Sequence, residues 1–172
     1  MFVSVDTQTQ GDLGEASAIE WLVSRGHPVW VPVGRSPDCD LVTRIDDRLA
    51  GVQVKTCRRR FQGRFHVMLC TKGGNQSWNG VVKRFSAARC DWLFVLVADG
   101  RRWFIPASEV GGGSAIALGG PKYAAYEVEP GSPFQTLSSD VPGGVPERSK
   151  GMDCKSIGSA FAGSNPAPTI TG

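Results

Sequence analysis

Two strand-like segments, residues 40–45 and 48–57, flank the dipeptide Asp46-Asp47, and no other feature of the chain constrains the fold as strongly. Aspartate tolerates the left-handed backbone that a two-residue hairpin turn requires. If the two aspartates form that turn, counting outward along both strands places Asp40 opposite Gln53. Opposed residues of an antiparallel pair project from the same face of a sheet. The sequence therefore predicts a hairpin with Asp40 and Gln53 side by side.

Lys55 extends this polar group, because residues two apart on a strand project from one face. The hydrophobic residues Val52 and Val54 alternate with Gln53 and Lys55, so they project from the other face. A carboxylate and an ammonium group on a half-buried face are costly unless they have partners or a metal ion. We therefore take Asp40, Gln53 and Lys55 as a candidate site.

A helical pattern precedes the hairpin and brings a second carboxylate. It begins at Gly11-Asp12 and runs to about Arg25, where Gly26 suits the end of a helix. Asp12 and Glu15 have the spacing of a capping box. Glu15 is also in line, at helical spacing, with the apolar residues Ala18, Ile19 and Leu22. If this stripe packs against the sheet of the hairpin, Glu15 can join the candidate site.

The rest of the chain predicts an α/β fold, with a mixed central β-sheet flanked by helices. The run Trp92 to Ala98 is hydrophobic throughout, which is typical of a strand buried on both faces. Asp99-Gly100 is a hairpin signal that returns the chain into residues 102–105. Further strands are expected at residues 27–33 and 64–70, and residues 78–89 are ambiguous, with a short helix as one interpretation.

Two carboxylates beside a lysine suit the hydrolysis of a phosphodiester bond. Mg²⁺ prefers oxygen ligands and needs only one or two carboxylates from a protein. We predict Asp40 and Glu15 as its ligands, with the Gln53 amide oxygen or a backbone carbonyl completing the set, and Mn²⁺ could substitute. Lys55 would orient the attacking water or neutralise developing charge. On spacing alone, the alternative is a surface hairpin in which Asp40 caps a turn and Lys55 is solvated.

Positive charge is concentrated in the middle of the chain. Residues 44–102 hold thirteen basic and four acidic residues, whereas the net charge of the whole chain is only +3. Such a block is typical of a face that binds a polyanion, and a solvated surface with scattered arginines is the alternative. The candidate DNA-contacting residues are Arg58, Arg59 and Arg60 after the hairpin, and Lys72, Asn75, Gln76, Lys83 and Arg84 around a glycine-containing loop. A solubilising turn and a plain surface loop are the alternatives for these two groups.

Three short motifs, in this order, resemble those of the PD-(D/E)XK nuclease superfamily. They are Gly11-Asp-Leu-Gly-Glu15, Ser36-Pro-Asp-Cys-Asp-Leu-Val42 and Gly51-Val-Gln-Val-Lys-Thr56. The third has Q-x-K where most of the superfamily has (D/E)-x-K, and in this it is similar to the branch that includes group I intron homing endonucleases. Residues 91–97 and 103–107 resemble the downstream strand pair of that branch. The likeness covers about residues 8–110.

This resemblance implies a restriction-endonuclease-like core and a metal-dependent endonuclease that hydrolyses DNA. Carried over by position, it implies Glu15 as the acid on the helix and Asp40 as the main metal ligand. It likewise implies Gln53 as the third site residue and Lys55 as the catalytic lysine. Asp38 also precedes the strand, but it lies two residues before it and off the position opposite Gln53, so the motif aspartate is assigned to Asp40.

Two other functions stay open on the sequence. A DNA-binding module with the nuclease fold but no catalysis would explain the neutral Gln53, whereas intact Glu15, Asp40 and Lys55 favour an enzyme. A structure-specific, junction-resolving nuclease is the other alternative. The expected partner is double-stranded DNA, and palindromic cutting would require a homo-oligomer, a dimer or larger. The chain has neither a signal-peptide pattern nor a membrane-spanning run, so we expect a cytoplasmic protein.

The nuclease-like domain is expected to occupy residues 1–130. Residues 131–172 are rich in Pro, Gly and Ser and have little periodicity, so we expect a disordered tail. Part of this tail resembles a translated tRNA gene, notably Asp153-Cys-Lys-Ser156 and Gly163-Ser-Asn-Pro166. The nucleotide sequence under these codons tests that hypothesis, and an ordinary disordered tail is the alternative.

Overall fold

A computed structural model describes residues 6–33, 39–72 and 82–134 of the chain. Within these ranges the α-helix α1 spans Thr7–Ser24. The strands of the central sheet are β1 (Val29–Trp30), β2 (Leu41–Ile45), β3 (Arg48–Cys57), β8 (Trp92–Val97), β9 (Arg102–Pro106) and β11 (Glu127–Val128). The other strands are β4 (Arg60–Phe61), β5 (Arg64–Met68), β6 (Cys70–Lys72), β7 (Val82–Arg84) and β10 (Ala115–Leu118), and 3₁₀ turns span Ala107–Glu109 and Pro121–Tyr126.

The central sheet is mixed and has the strand order β1-β2-β3-β8-β9-β11. Strands β3 and β8 are parallel, whereas the pairs β2–β3 and β8–β9 are antiparallel. Helix α1 covers one face, on which Leu22, Val52 and Phe94 are completely buried. The three-stranded sheet β10-β5-β4 packs on the other face, where Phe65 and Val95 are completely buried. Strand β8 is thus buried on both faces, which explains its continuous hydrophobic sequence.

The predicted hairpin and its register are confirmed. Asp46 and Asp47 both have positive φ angles, 48° and 60°, as a two-residue type I′ turn requires. The strands pair from Ile45 with Arg48 to Leu41 with Val52. The chain enters this ladder through the Asp40 N–H group, which donates to the Val52 carbonyl at 3.0 Å.

Helix α1 begins earlier than the sequence indicated. Its N-cap is Asp6, whose carboxylate accepts a hydrogen bond from the Thr9 N–H group at 2.8 Å, so the predicted capping role of Asp12 is wrong. At the other end the N–H groups of Gly26 and His27 donate to carbonyls of the last turn, at 2.9 and 3.0 Å. Gly26 has a φ of 80°, so it ends the helix in a Schellman motif as predicted. None of the helical segments described here has the length and hydropathy needed to cross a bilayer.

Three segments differ from their predicted structure. Strand β1 is shorter than residues 27–33 because Pro28 and Pro32, which have no N–H group, flank it. The predicted strand 64–70 divides at Leu69, which bonds to Ser114 on one side and Phe85 on the other. Residues 82–84 of the ambiguous segment form strand β7 rather than a helix, because they pair with β6.

The described contacts extend a few residues past the expected end of the domain. The N–H group of Gly131 donates to the Gly100 carbonyl at 2.8 Å, and that of Phe134 donates to the Ala98 carbonyl at 3.2 Å. Phe134 also packs against both hydrophobic clusters, one on each face of the central sheet. The predicted tail beyond it, with the segment that resembles a translated tRNA gene, lies outside the described residues.

Helix α1 lies very close to β3 at Gly14. A Cβ atom at this position would lie 2.4 Å from Thr56 Cγ2 and 3.2 Å from Val54 Cγ1, so the helix can lie this near only because the residue is glycine. The Thr56 hydroxyl is held there by a hydrogen bond from Gln10 Nε2 at 3.0 Å. This contact determines how deeply the helix sits on the sheet.

We predict that Gly14→Ala lowers the free energy of unfolding, although alanine is normally better in a helix by about 1 kcal/mol. The added methyl group must displace Thr56 or the helix, and overpacking of this kind costs about 1–3 kcal/mol. Gly11→Ala is the matched control: nothing lies within 4 Å of a Cβ atom there. It should raise the free energy of unfolding by up to about 1 kcal/mol. Urea denaturation measures both, and equal stabilisation by the two substitutions would contradict the close contact.

Candidate active site

Asp40 lies where strand β3 extends beyond the end of the neighbouring strand β2. The ladder between β2 and β3 stops at the pair Leu41 and Val52, but β3 continues to Cys57. The first N–H group past the ladder on that edge belongs to Val54, and it donates to Asp40 Oδ2 at 2.7 Å. The same oxygen accepts a hydrogen bond from Gln53 Nε2 at 2.6 Å. Asp40 therefore takes the place of a missing strand partner, and two donors fix its carboxylate.

Gln53 and Lys55 project from the face of the sheet opposite to α1. They pair with Leu93 and Val95 of β8, which belong to the core beneath the smaller sheet, and paired residues share a face. Lys55 is half-buried there. Burial lowers its pKa, an effect that the negative charge of Asp40 partly opposes. Lys55 is thus an ammonium group in apolar surroundings within the field of Asp40.

Glu15 approaches the same aspartate from the helix side. Burial and, after it, the charges of Asp40 and Asp12 raise the pKa of Glu15. Since α1 lies on the Val54 face of the sheet, the Glu15 carboxylate comes near Asp40 past the open edge of β3. The structure therefore brings Glu15, Asp40, Gln53 and Lys55 together, as the sequence indicated. Glu15, however, comes from the opposite face of the sheet.

The helix stripe packs against the sheet as predicted, but on the face opposite to the polar residues. Ala18 and Leu22 of the stripe are buried and Ile19 is partly buried, all against the cluster that contains Val52 and Val54. Gly14 and Trp21 complete the buried side of α1. Glu15 lies at the flank of this contact and is half-buried.

The donor chemistry of the site fits Mg²⁺ better than a softer ion. Among the described residues, no group of three or more His, Cys, Asp or Glu side chains could hold a metal ion. The site offers two carboxylates, and Mg²⁺ needs no more than that from a protein. A divalent cation between Glu15 and Asp40 would relieve the repulsion from Asp40, which after burial is the next cause of the raised pKa of Glu15. Gln53 is a donor to Asp40 here, so its predicted role as a ligand through the amide oxygen stays a prediction.

The predicted DNA-contacting residues divide into three groups. Arg58, Arg59 and Arg60 are all exposed and follow directly after the strand that carries Lys55: the first two connect β3 to β4, and Arg60 begins β4. Lys72, Lys83 and Arg84 lie in the two-stranded ladder of β6 and β7. Asn75, Gln76 and the rejected motif residue Asp38 lie outside the described residues. Of these three groups, the arginines are the nearest to Lys55 along the chain.

Gly14 is the residue of this site that sequence reasoning missed. It permits the close approach of α1 to β3, and it immediately precedes Glu15. A glycine inside a helical pattern costs stability, so it usually has a packing reason. That signal was present in Gly11-Asp-Leu-Gly-Glu15 and could have indicated the contact.

Comparison with known proteins bears on this arrangement. Residues 5–118 match the family described as PD-(D/E)XK endonuclease. Three chains of solved structures match significantly. One is the bacterial homing endonuclease I-Ssp6803I, with a TM-score of 0.60 and 23% sequence identity over 71% of this chain and 88% of that chain. This likeness confirms the predicted restriction-endonuclease-like core. No curated protein matches the chain significantly.

We predict that Glu15→Gln raises the melting temperature of the metal-free protein at neutral pH. The pKa of Glu15 is higher in the folded state than its ordinary value of 4.5, so the folded protein loses stability as this carboxyl ionises. The gain should vanish below about pH 4.5, where the carboxyl is protonated in both states. The exposed Glu109 supplies the control Glu109→Gln, which should leave the melting temperature at pH 7 nearly unchanged. A lower melting temperature for Glu15→Gln in EDTA at pH 7 would contradict the repulsion.

Proposed function

Because this chain belongs to the PD-(D/E)XK endonuclease family, we propose that it is a Mg²⁺-dependent endonuclease of double-stranded DNA. Membership of this family makes it a phosphodiester hydrolase. We further propose that it cuts DNA at its own target sites, as homing endonucleases do. The observation that carries the proposal is the Asp40 carboxylate, which accepts two hydrogen bonds, one from Gln53 and one from Val54. Glu15 and Lys55 lie beside it. The likeness to the fold of I-Ssp6803I supports the homing type.

Asp40 and Glu15 are the residues that would hold the metal ion, with the Gln53 oxygen as the third ligand. Mg²⁺ bound there would polarise the scissile phosphate and lower the pKa of a bound water. The backbone N–H group of Val54 and the Gln53 side chain hold Asp40 in one orientation, so the ligand needs little reorganisation.

Lys55 is the positively charged side chain of the proposed active site. Its flexible stem carries three N–H donors, which can orient a water or bind a phosphate oxygen. Because the side chain is half-buried, its field is screened less than that of an exposed lysine. We propose that Lys55 stabilises the charge that develops on the phosphate during cleavage.

The arginines that follow β3 would hold the DNA backbone beside this site. Arg58, Arg59 and Arg60 are exposed, as phosphate contacts must be before binding. Double-stranded DNA is the proposed substrate, and a palindromic target would require a homo-oligomer of two or more copies. A cytoplasmic location is part of the same proposal.

The competing function is a DNA-binding module that has the nuclease fold without catalysis. The neutral Gln53, in a position that is acidic in most of the superfamily, favours it. A binding module, however, has no need of a half-buried lysine beside two carboxylates, whose burial is costly. A junction-resolving nuclease shares the same chemistry and differs in the DNA that it cuts, so a comparison of linear and four-way-junction substrates separates the two.

We predict that cleavage depends on a divalent metal ion. A plasmid library with a randomised insert, incubated with the full chain and Mg²⁺ or Mn²⁺, should yield linear products from which the target is read. EDTA should abolish these products, because two carboxylates and a lysine cannot supply the Lewis acid. Undiminished cleavage in EDTA would contradict the metal-dependent mechanism.

We predict that Lys55→Ala lowers the single-turnover cleavage rate about a hundredfold or more, the scale of losing one preorganised electrostatic group. DNA affinity should fall only slightly, since one phosphate contact changes the salt dependence of binding by about one unit. Arg59→Ala is the matched comparison: it should weaken DNA binding and change the cleavage step less.

Single-turnover rates and salt-dependent binding to the selected target measure both effects. Equal losses of binding and cleavage in Lys55→Ala would make Lys55 a phosphate contact instead. Wild-type protein that binds the target without cutting it would support the binding module.

A further inference from the structure

Arg102 is a buried arginine beneath α1. It lies on β9 opposite Leu96, on the face that the helix covers, and only 4% of its side chain is exposed. Its Nη1 donates to Glu20 Oε2 at 2.5 Å and to Ser17 Oγ at 3.3 Å. Its Nε donates to the Glu129 carbonyl at 2.6 Å, and its Nη2 donates to the Pro130 carbonyl at 3.2 Å. We call these contacts the Arg102 anchor.

The anchor joins the helix to a segment that is far away in sequence. The Glu129 carboxylate accepts a hydrogen bond from Trp21 Nε1 at 2.9 Å and also forms an ion pair with Arg25. Gly131 lies so close that a Cβ atom there would be 3.1 Å from both Arg102 Nη1 and Ser17 Oγ. Helix α1 is therefore fastened along one side by Arg102 and by the residues that follow β11.

The side that is fastened is opposite to Glu15. Successive residues of an α-helix are about 100° apart, so Ser17 and Glu20 lie about 160° and 140° from Glu15 around the helix axis. Gly14, which touches the sheet, lies between the two sides. The helix thus rests on β3 at Gly14, with the anchor on one flank and Glu15 on the other. Rotation of the helix about this contact would lift Glu15 away from Asp40.

Stability alone is a weak reason for a buried guanidinium in this place. Replacing a buried ion pair with well-packed apolar groups is often neutral or stabilising. The apolar Leu13, Leu96 and Phe134 line the same groove, which has a volume of about 450 Å³ and could receive an apolar side chain. What an apolar residue could not provide is a directional link to Ser17 and Glu20.

We propose that Arg102 is a positioning residue for phosphodiester cleavage: it fixes the rotation of α1 and so holds Glu15 beside Asp40. This inference rests on the proposed function. Arg102 acts through Glu15 and touches neither the metal ion nor the DNA. Loss of the anchor should therefore matter only while Glu15 is present.

The test is a double-mutant cycle in the full chain that combines Arg102→Met with Glu15→Gln. Mn²⁺ affinity, measured from the electron paramagnetic resonance signal of free Mn²⁺, is the first readout and needs no DNA. Single-turnover cleavage of the selected target is the second. Arg102→Met should lower both by about tenfold or more, the usual scale for residues that orient metal ligands. In the Glu15→Gln background, it should cause no further loss.

Three further variants sharpen the result. Arg102→Lys keeps a cation but reaches fewer acceptors, so it should restore part of the loss. Glu20→Ala removes the charged partner from an exposed position without altering the buried one, and it should give a smaller loss that also requires Glu15. Arg25→Gln is the matched control, because it breaks an exposed ion pair between the same helix and Glu129 at the end away from Glu15. It should leave Mn²⁺ affinity unchanged.

Amide hydrogen exchange of α1 shows whether the helix is loosened. Exchange should be faster in Arg102→Met whether or not Glu15 is present. An equal loss of Mn²⁺ affinity in both backgrounds would overturn the inference and leave Arg102 a general structural residue. Unchanged Mn²⁺ affinity in Arg102→Met would overturn it as well. Failure of the proposed function is distinguishable, since wild-type protein would then neither bind Mn²⁺ nor cut DNA.

Discussion

The open edge of β3 is the constraint on which the site depends. A strand that outruns its neighbour leaves backbone N–H groups without ladder partners, and buried groups of this kind are costly. Asp40 satisfies the first of them with its side chain, and so its carboxylate is held at the point where the sheet edge is open. The same opening lets groups from both faces meet, Lys55 from one and Glu15 from the other. Backbone pairing and chemistry thus have a common origin.

How far the sequence predicts this molecule depends on the range of the interaction. The hairpin register and the contact of Asp40 with Gln53 follow from counting residues outward from one turn, so they could be predicted. The face on which α1 packs could not, because Glu15 falls between the buried and the exposed sides of the helix. The start of α1 was missed because Asp6 and Asp12 are both capable caps, and only the folded backbone distinguishes them.

Charge in sequence was also an incomplete guide to charge in space. Arg101 and Arg102 belong to the central basic block that suggested a DNA-binding face. Arg101 is paired with Asp99 and Glu127, and the buried Arg102 forms an ion pair with Glu20. These arginines are therefore neutralised within the fold, whereas Arg58 to Arg60 are exposed. Net charge counts cannot separate the two kinds, since the ion-pair partners of these arginines lie up to 82 residues away along the chain.

The segment that follows β11 affects the order in which the site is assembled during synthesis. The groups of the candidate site all lie within residues 15–55, so the ribosome makes them early, and their hairpin needs only local contacts to form. The helix that carries Glu15 gains its contacts with Glu129 and Pro130 only when those residues have been synthesised. On the growing chain, the ligands thus exist well before the contacts that hold the helix. A nuclease assembled in this order acquires its complete site only after Glu129 and Pro130 have been synthesised.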